Sequence, residues 1–416
     1  MSVAAEQPQN STLVSYKREK ALLFTGVMIF GIGQSMLFVV FGPLARSMGL
    51  SEIQFGLIFT LSNLGLVIAG PYWGRASDRL GRKKVFMIGL SGTMAGTFSL
   101  ALAIQVGLWG LLPIPALMAL LFCARCVYSL TAIAVYPASS AFMADITDRA
   151  TRAQGMALIG GANSMGSVLG PAIGAGLATI HVLFPMYTAS ALALAGVGMA
   201  ALWLVEPPRH EASTTRTTLK ITDKRILPFM LMWLTFFTVF TTLQFVSAFY
   251  IQDQFGVTDQ TRIMRTFGLA MFSLGASNVV IQVGLFQIIR VRPSIVLRFC
   301  FPALAAGLLL LAFTKTLYFM FPAYMCIGLA FSCANPGISG GASLSVEPHE
   351  QGAASGLLSA ATTSGVILGP LLGTSLYKIS HTLPMFIGAA LALAMATFTF
   401  FVRVPDPGAA RPRSAQ

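Results

Sequence analysis

The chain has 416 residues, 55% of them hydrophobic and only 10% charged, with a mean hydropathy of +0.75. Soluble domains carry about one-quarter charged residues, so a water-soluble globular protein is excluded and no sizeable soluble domain fits beside the apolar segments. The net charge of +13 does not mark a nucleic-acid binder, because the basic residues fall in short stretches between apolar runs; they read as a topology signal with some affinity for anionic lipid headgroups.

A membrane-spanning helix needs roughly 20 mostly apolar residues. The sequence predicts an all-α membrane protein with twelve spans, at 20–45, 54–74, 85–107, 114–140, 155–179, 187–205, 228–252, 265–289, 295–314, 318–344, 354–377 and 384–403. A polar tail, 1–19, leads into an apolar run too long for the core of a cleavable signal. The first six spans form one predicted bundle, 20–205, and the last six a second, 228–403, followed by a tail at 404–416. Between the bundles, 206–227 is polar and basic, with Pro207 and Pro208 and a Ser/Thr run, and reads as a linker. If both termini are cytoplasmic, 21 of the 27 Lys and Arg lie on the cytoplasmic side, as the positive-inside rule requires. The five Cys lie in apolar segments and the four His in loops. Neither forms a ligand cluster, so no metal, cofactor or enzymatic centre is expected.

The spans repeat. Gly166-x3-Gly170-Pro171-x2-Gly174 recurs as Gly365-x3-Gly369-Pro370-x2-Gly373, a shift of 199 residues that also relates Pro137 to Pro336. Gly74 precedes Gly284, and Gln34 precedes Gln244, by 210 residues. A parallel duplication of six spans with Gly/Pro-interrupted helices is the mark of a secondary transporter. Glycines every fourth residue give a smooth helix face that permits close approach, and Pro171 and Pro370 each remove a backbone hydrogen bond. These faces are expected to serve as hinges or sliding surfaces between the halves.

Gly74-Arg-Ala-Ser-Asp78-Arg79-Leu-Gly81-Arg82-Lys83-Lys84 joins spans two and three. Its glycines suit tight reversal, and Asp78 among cations can pair with an arginine or a helix N-terminus. Asp145, at the end of span four, is the expected acidic partner of Arg79 or Arg82. The corresponding loop of the second half, Gly284 to Arg298, keeps Arg290 and Arg292 but has no acid. Arg125 is the one Lys or Arg placed deep in a span, where a charge is costly and functional by default. It can hold an anionic substrate or pair with helix-end carbonyls. All fourteen Asp and Glu lie at helix ends or in loops, so Asp253 and Asp145 are the candidates for a titrating group.

These motifs resemble the major facilitator superfamily, in its branch of twelve-span drug:proton antiporters. Gly74–Lys84 is similar to the loop 2–3 signature, Gly166–Gly174 to the fifth-helix signature, and Leu121-Phe-Cys-Ala-Arg125 to the fourth-helix arginine motif, with Ser129 where a glycine is common. The resemblance implies two pseudo-symmetric six-helix bundles. It implies a loop 2–3 clamp that holds helix ends in one state and releases them on switching. It also implies an arginine tied to proton movement and a fifth-helix motif that marks exporters. It places spans one, four, seven and ten around a cavity, where Gln34, Tyr128, Tyr136, Gln244, Ser332 and Asn335 supply polarity. Relatives that export cations often carry an acid in span one, but here that stretch is Gly31-Ile32-Gly33-Gln34-Ser35. A substrate bearing negative charge, such as a carboxylate-rich siderophore, is therefore expected to face Arg125. The expected function is proton-coupled antiport, the export of a drug, metabolite or siderophore. The expected setting is the inner membrane of a bacterium, with protons and lipid as partners and a monomer as the working unit. The alternative is proton-coupled uptake of an organic anion.

Overall fold

A computed structural model describes residues 16–147, 151–207, 219–286, 292–347 and 350–402. Within these, twelve helices are long and apolar enough to cross a membrane: α1 (Lys17–Met48), α2 (Glu52–Leu80), α3 (Arg82–Leu108), α4 (Ile114–Asp145), α5 (Gln154–Leu177), α6 (Phe184–Trp203), α7 (Leu227–Phe255), α8 (Gln260–Gln282), α9 (Pro293–Phe313), α10 (Leu317–Leu344), α11 (Gln351–Ile379) and α12 (Leu383–Phe401). No strand occurs among the described residues. An even number of spans puts the ends of α1 and α12 on one face, called here the termini side. The tails as far as residue 15 and from 403, most of the predicted linker (208–218), Arg290, His210 and His349 lie outside the described residues.

Helix ends follow local chemistry. At the start of α2, the Ser51 side chain accepts from the Gln54 amide while the Gln54 side chain accepts from the Ser51 amide, a reciprocal cap. The predicted break at Gly74 is corrected. It lies inside α2 with open space beside its Cα, and the chain reverses only at Gly81, whose φ of +103° a side chain would not tolerate. The repeated prolines interrupt their helices, because Pro137 leaves the Ile133 carbonyl, and Pro336 the Ser332 carbonyl, without a donor one turn on. α4 tightens into a 3-10 turn at Ala132–Ala134, and α10 widens into a π turn at Asn335–Ser339.

The duplicated glycine faces pack inside each half, which corrects the expectation that they lie between halves. Gly166 rests on the α1 backbone at Met28 and Ile32, and Gly170 on Ile32 and Ser35. Ser35 Oγ, which bonds Gly31 O at 2.9 Å, also reaches Gly166 O at 3.3 Å. In the second half, Gly365 rests on the α7 backbone at Leu234 and Thr238, and Gly369 on Thr238 and Thr241. Thr241 Oγ1 lies 3.2 Å from Gly365 O, and Thr242 Oγ1 donates to Gly369 O at 3.0 Å. Removing Cβ lets two backbones touch, and the partner helix's hydroxyls then satisfy carbonyls that lipid cannot.

The halves meet along the opposite flanks of the same helices. Gly56 of α2 lies against Thr374 and the Pro370 carbonyl of α11, and Gly268 of α8 lies against Ala175 and the Pro171 carbonyl of α5. Thr60 Oγ1 donates to Ile367 O at 3.0 Å, further along the α2–α11 seam. Toward the termini side this seam opens: Gly70 and Gly74 of α2 and Gly352 and Gly356 of α11 have open space beside them, and Ile68 is 75% exposed. The molecule is thus closed on the face opposite the termini and open on the termini side.

Gly170→Val and Gly369→Val force a side chain into a backbone contact and should each cost about 1–3 kcal/mol. Gly356→Val, in open space, should be close to neutral. Thermal unfolding of the purified variants in one detergent reads the difference.

Candidate functional site

Arg125 lies on the inner face of α4 and is 5% exposed. Its Nη2 donates to Asn63 Oδ1 of α2 at 3.2 Å. The guanidinium carbon sits 4.5 Å from the Phe59 ring centre and 4.9 Å from that of Tyr128, so two aromatic faces take part of its charge. Its Nε and Nη1, and the Tyr128 hydroxyl, have no hydrogen-bond partner. Among the described residues no carboxylate pairs with it and no backbone carbonyl receives it, so the helix-end reading is not what the structure shows. A cation in this setting carries a large desolvation cost with little repaid. The arrangement, with two free donors and a phenol beside them, can accept a carboxylate or another anionic group.

Phe59 connects this site to a seal between the halves. Its ring meets Phe245 of α7 edge-on, with centres 4.6 Å apart, while Phe55 packs on Phe245 and Phe249 at 5.3 and 5.7 Å. Phe38 reaches Phe245 at 5.4 Å. Edge-to-face rings of this kind fill space without buried polar groups and exclude water.

Beyond the seal, on the face opposite the termini, polar side chains tie the halves together. Arg46 Nη1 and Nη2 donate to Asp253 Oδ1 and Oδ2 at 2.7 and 2.8 Å, Nη1 also donates to Gln252 Oε1 at 3.0 Å, and Nε donates to Glu52 Oε1 at 2.8 Å. The Tyr377 hydroxyl of α11 donates to Asp253 Oδ2 at 2.7 Å, His381 Nε2 stands 3.7 Å from the same oxygen, and the Gln260 amide donates to Ser47 Oγ at 2.9 Å. Asp253 therefore ties the two halves together on the face opposite the termini, away from Arg125. The flanking Phe249 ring, 5.0 Å from the Arg46 guanidinium carbon, partly shields the pair.

On the termini side the loop 2–3 residues gather within the first half. Arg82, not Arg79, takes Asp145: its Nε donates to Asp145 Oδ2 at 2.8 Å, and Nη1 to Asp78 Oδ1 at 2.5 Å and Ser77 Oγ at 3.2 Å. Arg79 is exposed on the last turn of α2. Glu206 caps the start of α3, accepting from the Arg82 and Lys83 amides at 2.5 and 3.0 Å. In the second half Arg225 bridges Asp223 and Glu350 at 2.9 Å each, and its hydrogen bonds hold the Asp223 carboxyl below its ordinary value.

Of the other expected cavity residues, Gln34 and Asn335 are exposed and Gln244 and Tyr136 are partly or largely open. None of the four makes a side-chain hydrogen bond among the described residues, and no bond joins them to Arg125. Ser332 is corrected: it is fully buried and its hydroxyl donates to Leu329 O at 2.7 Å, a packing role. Sequence reasoning missed Asn63, Phe59, Arg46, Glu52 and Tyr377. Asn63, an amide in an apolar span, was a readable signal; the pairing of Arg46 with Asp253, 207 residues away, was not.

The Major Facilitator Superfamily family model matches residues 23–290 and 266–416. The chain is 27% identical to Multidrug resistance protein 1 of Bacillus subtilis (strain 168), over 90% of this chain and 95% of that protein. It is 25% identical to the class B Tetracycline resistance protein of Escherichia coli, over 92% and 93% of the two chains. Its fold is similar to the crystal structure of the nucleoside transporter NupG, with a TM-score of 0.68 at 14% identity, covering 92% of this chain and 98% of that one.

Asp253→Asn and Arg46→Gln should loosen this tie between the halves. A partly exposed ion pair at about 1 kcal/mol corresponds to roughly a fivefold change in the ratio of closed to open forms. Glu52→Gln, which lies on the same half as Arg46, should shift the ratio less. Distances between spin labels at positions 47 and 260 report the change.

Proposed function

The chain belongs to the major facilitator superfamily, and on that premise we propose that it is a proton-coupled antiporter exporting a small organic molecule by alternating access. It is a transporter, not an enzyme. The names of its relatives, multidrug and tetracycline resistance proteins, favour export. The distribution of Lys and Arg favours cytoplasmic termini and the inner membrane of a bacterium, so the form described here is open to the cytoplasm. Residues 20–205 and 228–403 act as two bodies joined by 206–227, and one copy of the chain suffices.

The observation that carries the reading of the site is the Arg125 guanidinium, buried with unfilled donors and no acidic partner. It favours a substrate with a negative charge, such as a carboxylate-bearing drug, metabolite or siderophore. The anion completes the set formed by Arg125, Asn63 and the Tyr128 hydroxyl. Because Phe59 stacks on Arg125 and also meets Phe245 across the halves, filling the site changes the support of the seal. Gln34, Tyr136, Gln244 and Asn335 line the route.

The driving proton acts at the outer latch. A proton on Asp253 removes the charge that holds Arg46 and lets the halves part on the outer face; its loss restores the pair. On the termini side Asp78, Arg82 and Asp145, with Gly74, Gly81 and Arg79 around them, keep the cytoplasmic ends of α2, α3 and α4 in one piece. The glycine–proline faces Gly166, Gly170, Pro171 and Gly174, and Gly365, Gly369, Pro370 and Gly373, hold α5 on α1 and α11 on α7 as the halves rock.

Proteoliposomes with an imposed pH gradient and a pH dye test this. Organic anions should move against the proton flux. Arg125→Gln should lower that exchange at least tenfold, since charge-assisted bonds contribute about 1.5–3 kcal/mol each, with Arg125→Lys less affected. Movement of proton and substrate in the same direction would show an uptake symporter instead, and transport of cations alone would sink the anion reading.

A further inference from the structure

Away from Arg125, a cavity of about 230 Å³ lies on the termini side of the second half, between α7, α10 and α11. Trp233, Ser339, Ser343, Gln351, Ser355 and Ser359 carry its chemistry. The Trp233 ring is 8% exposed and firmly held: it packs edge-on against Phe236 and tilted on Phe237, with centres 5.9 and 5.4 Å apart. Its N–H donates to Ser339 Oγ at 3.1 Å, which leaves the Ser339 hydroxyl proton free to donate.

Hydroxyls in membrane helices commonly bond a carbonyl one turn back, as those of Thr362, Thr363 and Ser364 do in α11 at 3.0, 2.9 and 2.9 Å. Ser343, Gln351, Ser355 and Ser359 do not; all four are exposed to the cavity, and among the described residues their side chains make no hydrogen bond. Packing does not require them either. α5 and α11 carry the same glycine face. At the positions 199 residues earlier, the first half has Met156 and Gly160 in place of Ser355 and Ser359, and Ala144 in place of Ser343. The 206-residue shift by which Ser35 and Thr241 take the same place on the two glycine faces puts Val27 where α7 has Trp233. The same 199-residue shift keeps a serine, Ser140, for Ser339 and puts Arg152 where α11 has Gln351, so the second half differs by three hydroxyls and a tryptophan that the duplicated fold does not require.

We infer that this cavity binds an uncharged hydroxylated ring, of sugar or polyol chemistry. Its hydroxyls would exchange bonds with Ser339, Ser343, Ser355 and Ser359 and with the Gln351 carboxamide, while its C–H groups pack against the exposed part of the Trp233 ring. No ionisable side chain lines the cavity, so a charged ligand would bring a charge with nothing to pair it. The volume is below the range of about 300–1,000 Å³ that encloses a drug-sized molecule, and suits a single ring. The site is independent of the coupling ion and of the direction of transport.

The test uses the full chain in lipid nanodiscs free of glycoside detergent, titrated with methyl β-D-glucoside and followed by saturation-transfer NMR. Saturable binding is expected, at least tenfold weaker in the double variant S355A/S359A and in W233F. Glucuronate, which adds one carboxylate, should bind at least tenfold more weakly than the glucoside. Absence of saturation, unchanged affinity in the double variant, or glucuronate binding as tightly as the glucoside would each overturn the site. Proton-coupled transport of an organic anion by S355A/S359A, expected at the wild-type rate, shows that the variant is folded. It also keeps failure of the pocket separate from failure of the transport reading.

Discussion

Close backbone contact between two pairs of helices, α1 with α5 and α7 with α11, is the constraint on which the rest of the architecture depends. In lipid a helix gains little by burying apolar side chains against another helix, because the surroundings are equally apolar. Attraction has to come from close packing and from polar groups that find partners. Glycines at every fourth residue supply the first, and Ser35, Thr241 and Thr242, placed against glycine carbonyls across the contact, supply the second. Each half is thereby tied internally. The contacts left for exchange run along the other flanks of α5 and α11, against α8 and α2, where single glycines, Gly268 and Gly56, meet the carbonyls of the motif prolines.

The two ends of this seam have different chemistry. On the face opposite the termini, a bidentate arginine–carboxylate pair and a cluster of phenylalanines close it. On the termini side, among the described residues, Arg82 bonds Asp145 and Glu206 caps α3 within the first half, and Arg225 bonds Asp223 and Glu350 beside the second. These bonds stiffen each body. Across the halves the sealed end relies on one ion pair, Arg46 with Asp253, so altering either residue changes a large share of what holds that end shut.

Arg125 lies between these ends. Its cost is partly offset by the Asn63 oxygen and by two aromatic rings, while two donors stay empty. Phe59 is shared by the cation and the seal, so the Arg125 site and the closure of the face opposite the termini have a common wall. That sharing gives the site a physical route to influence which side is open, through a side chain with a packed neighbour in each half.

The sequence by itself determined the twelve spans, the duplication, the Gly/Pro motifs and the single deep arginine. Each is a matter of composition or spacing along one helix, and spans in lipid must be apolar and internally hydrogen-bonded whatever surrounds them. Gly81, Arg82 and Asp145 were legible for the same reason, as a charged, ordered loop between two spans. Tertiary structure alone decided which flank of the glycine helices faces which partner, that Gly74 continues a helix, that Asp253 pairs with Arg46 and Tyr377, and that Arg125 is held by Asn63, Phe59 and Tyr128 with no acid among the described residues. These contacts join residues far apart in the chain. Nothing in the local pattern encodes the rotation of one helix against another, because that angle is set by packing among several helices at once.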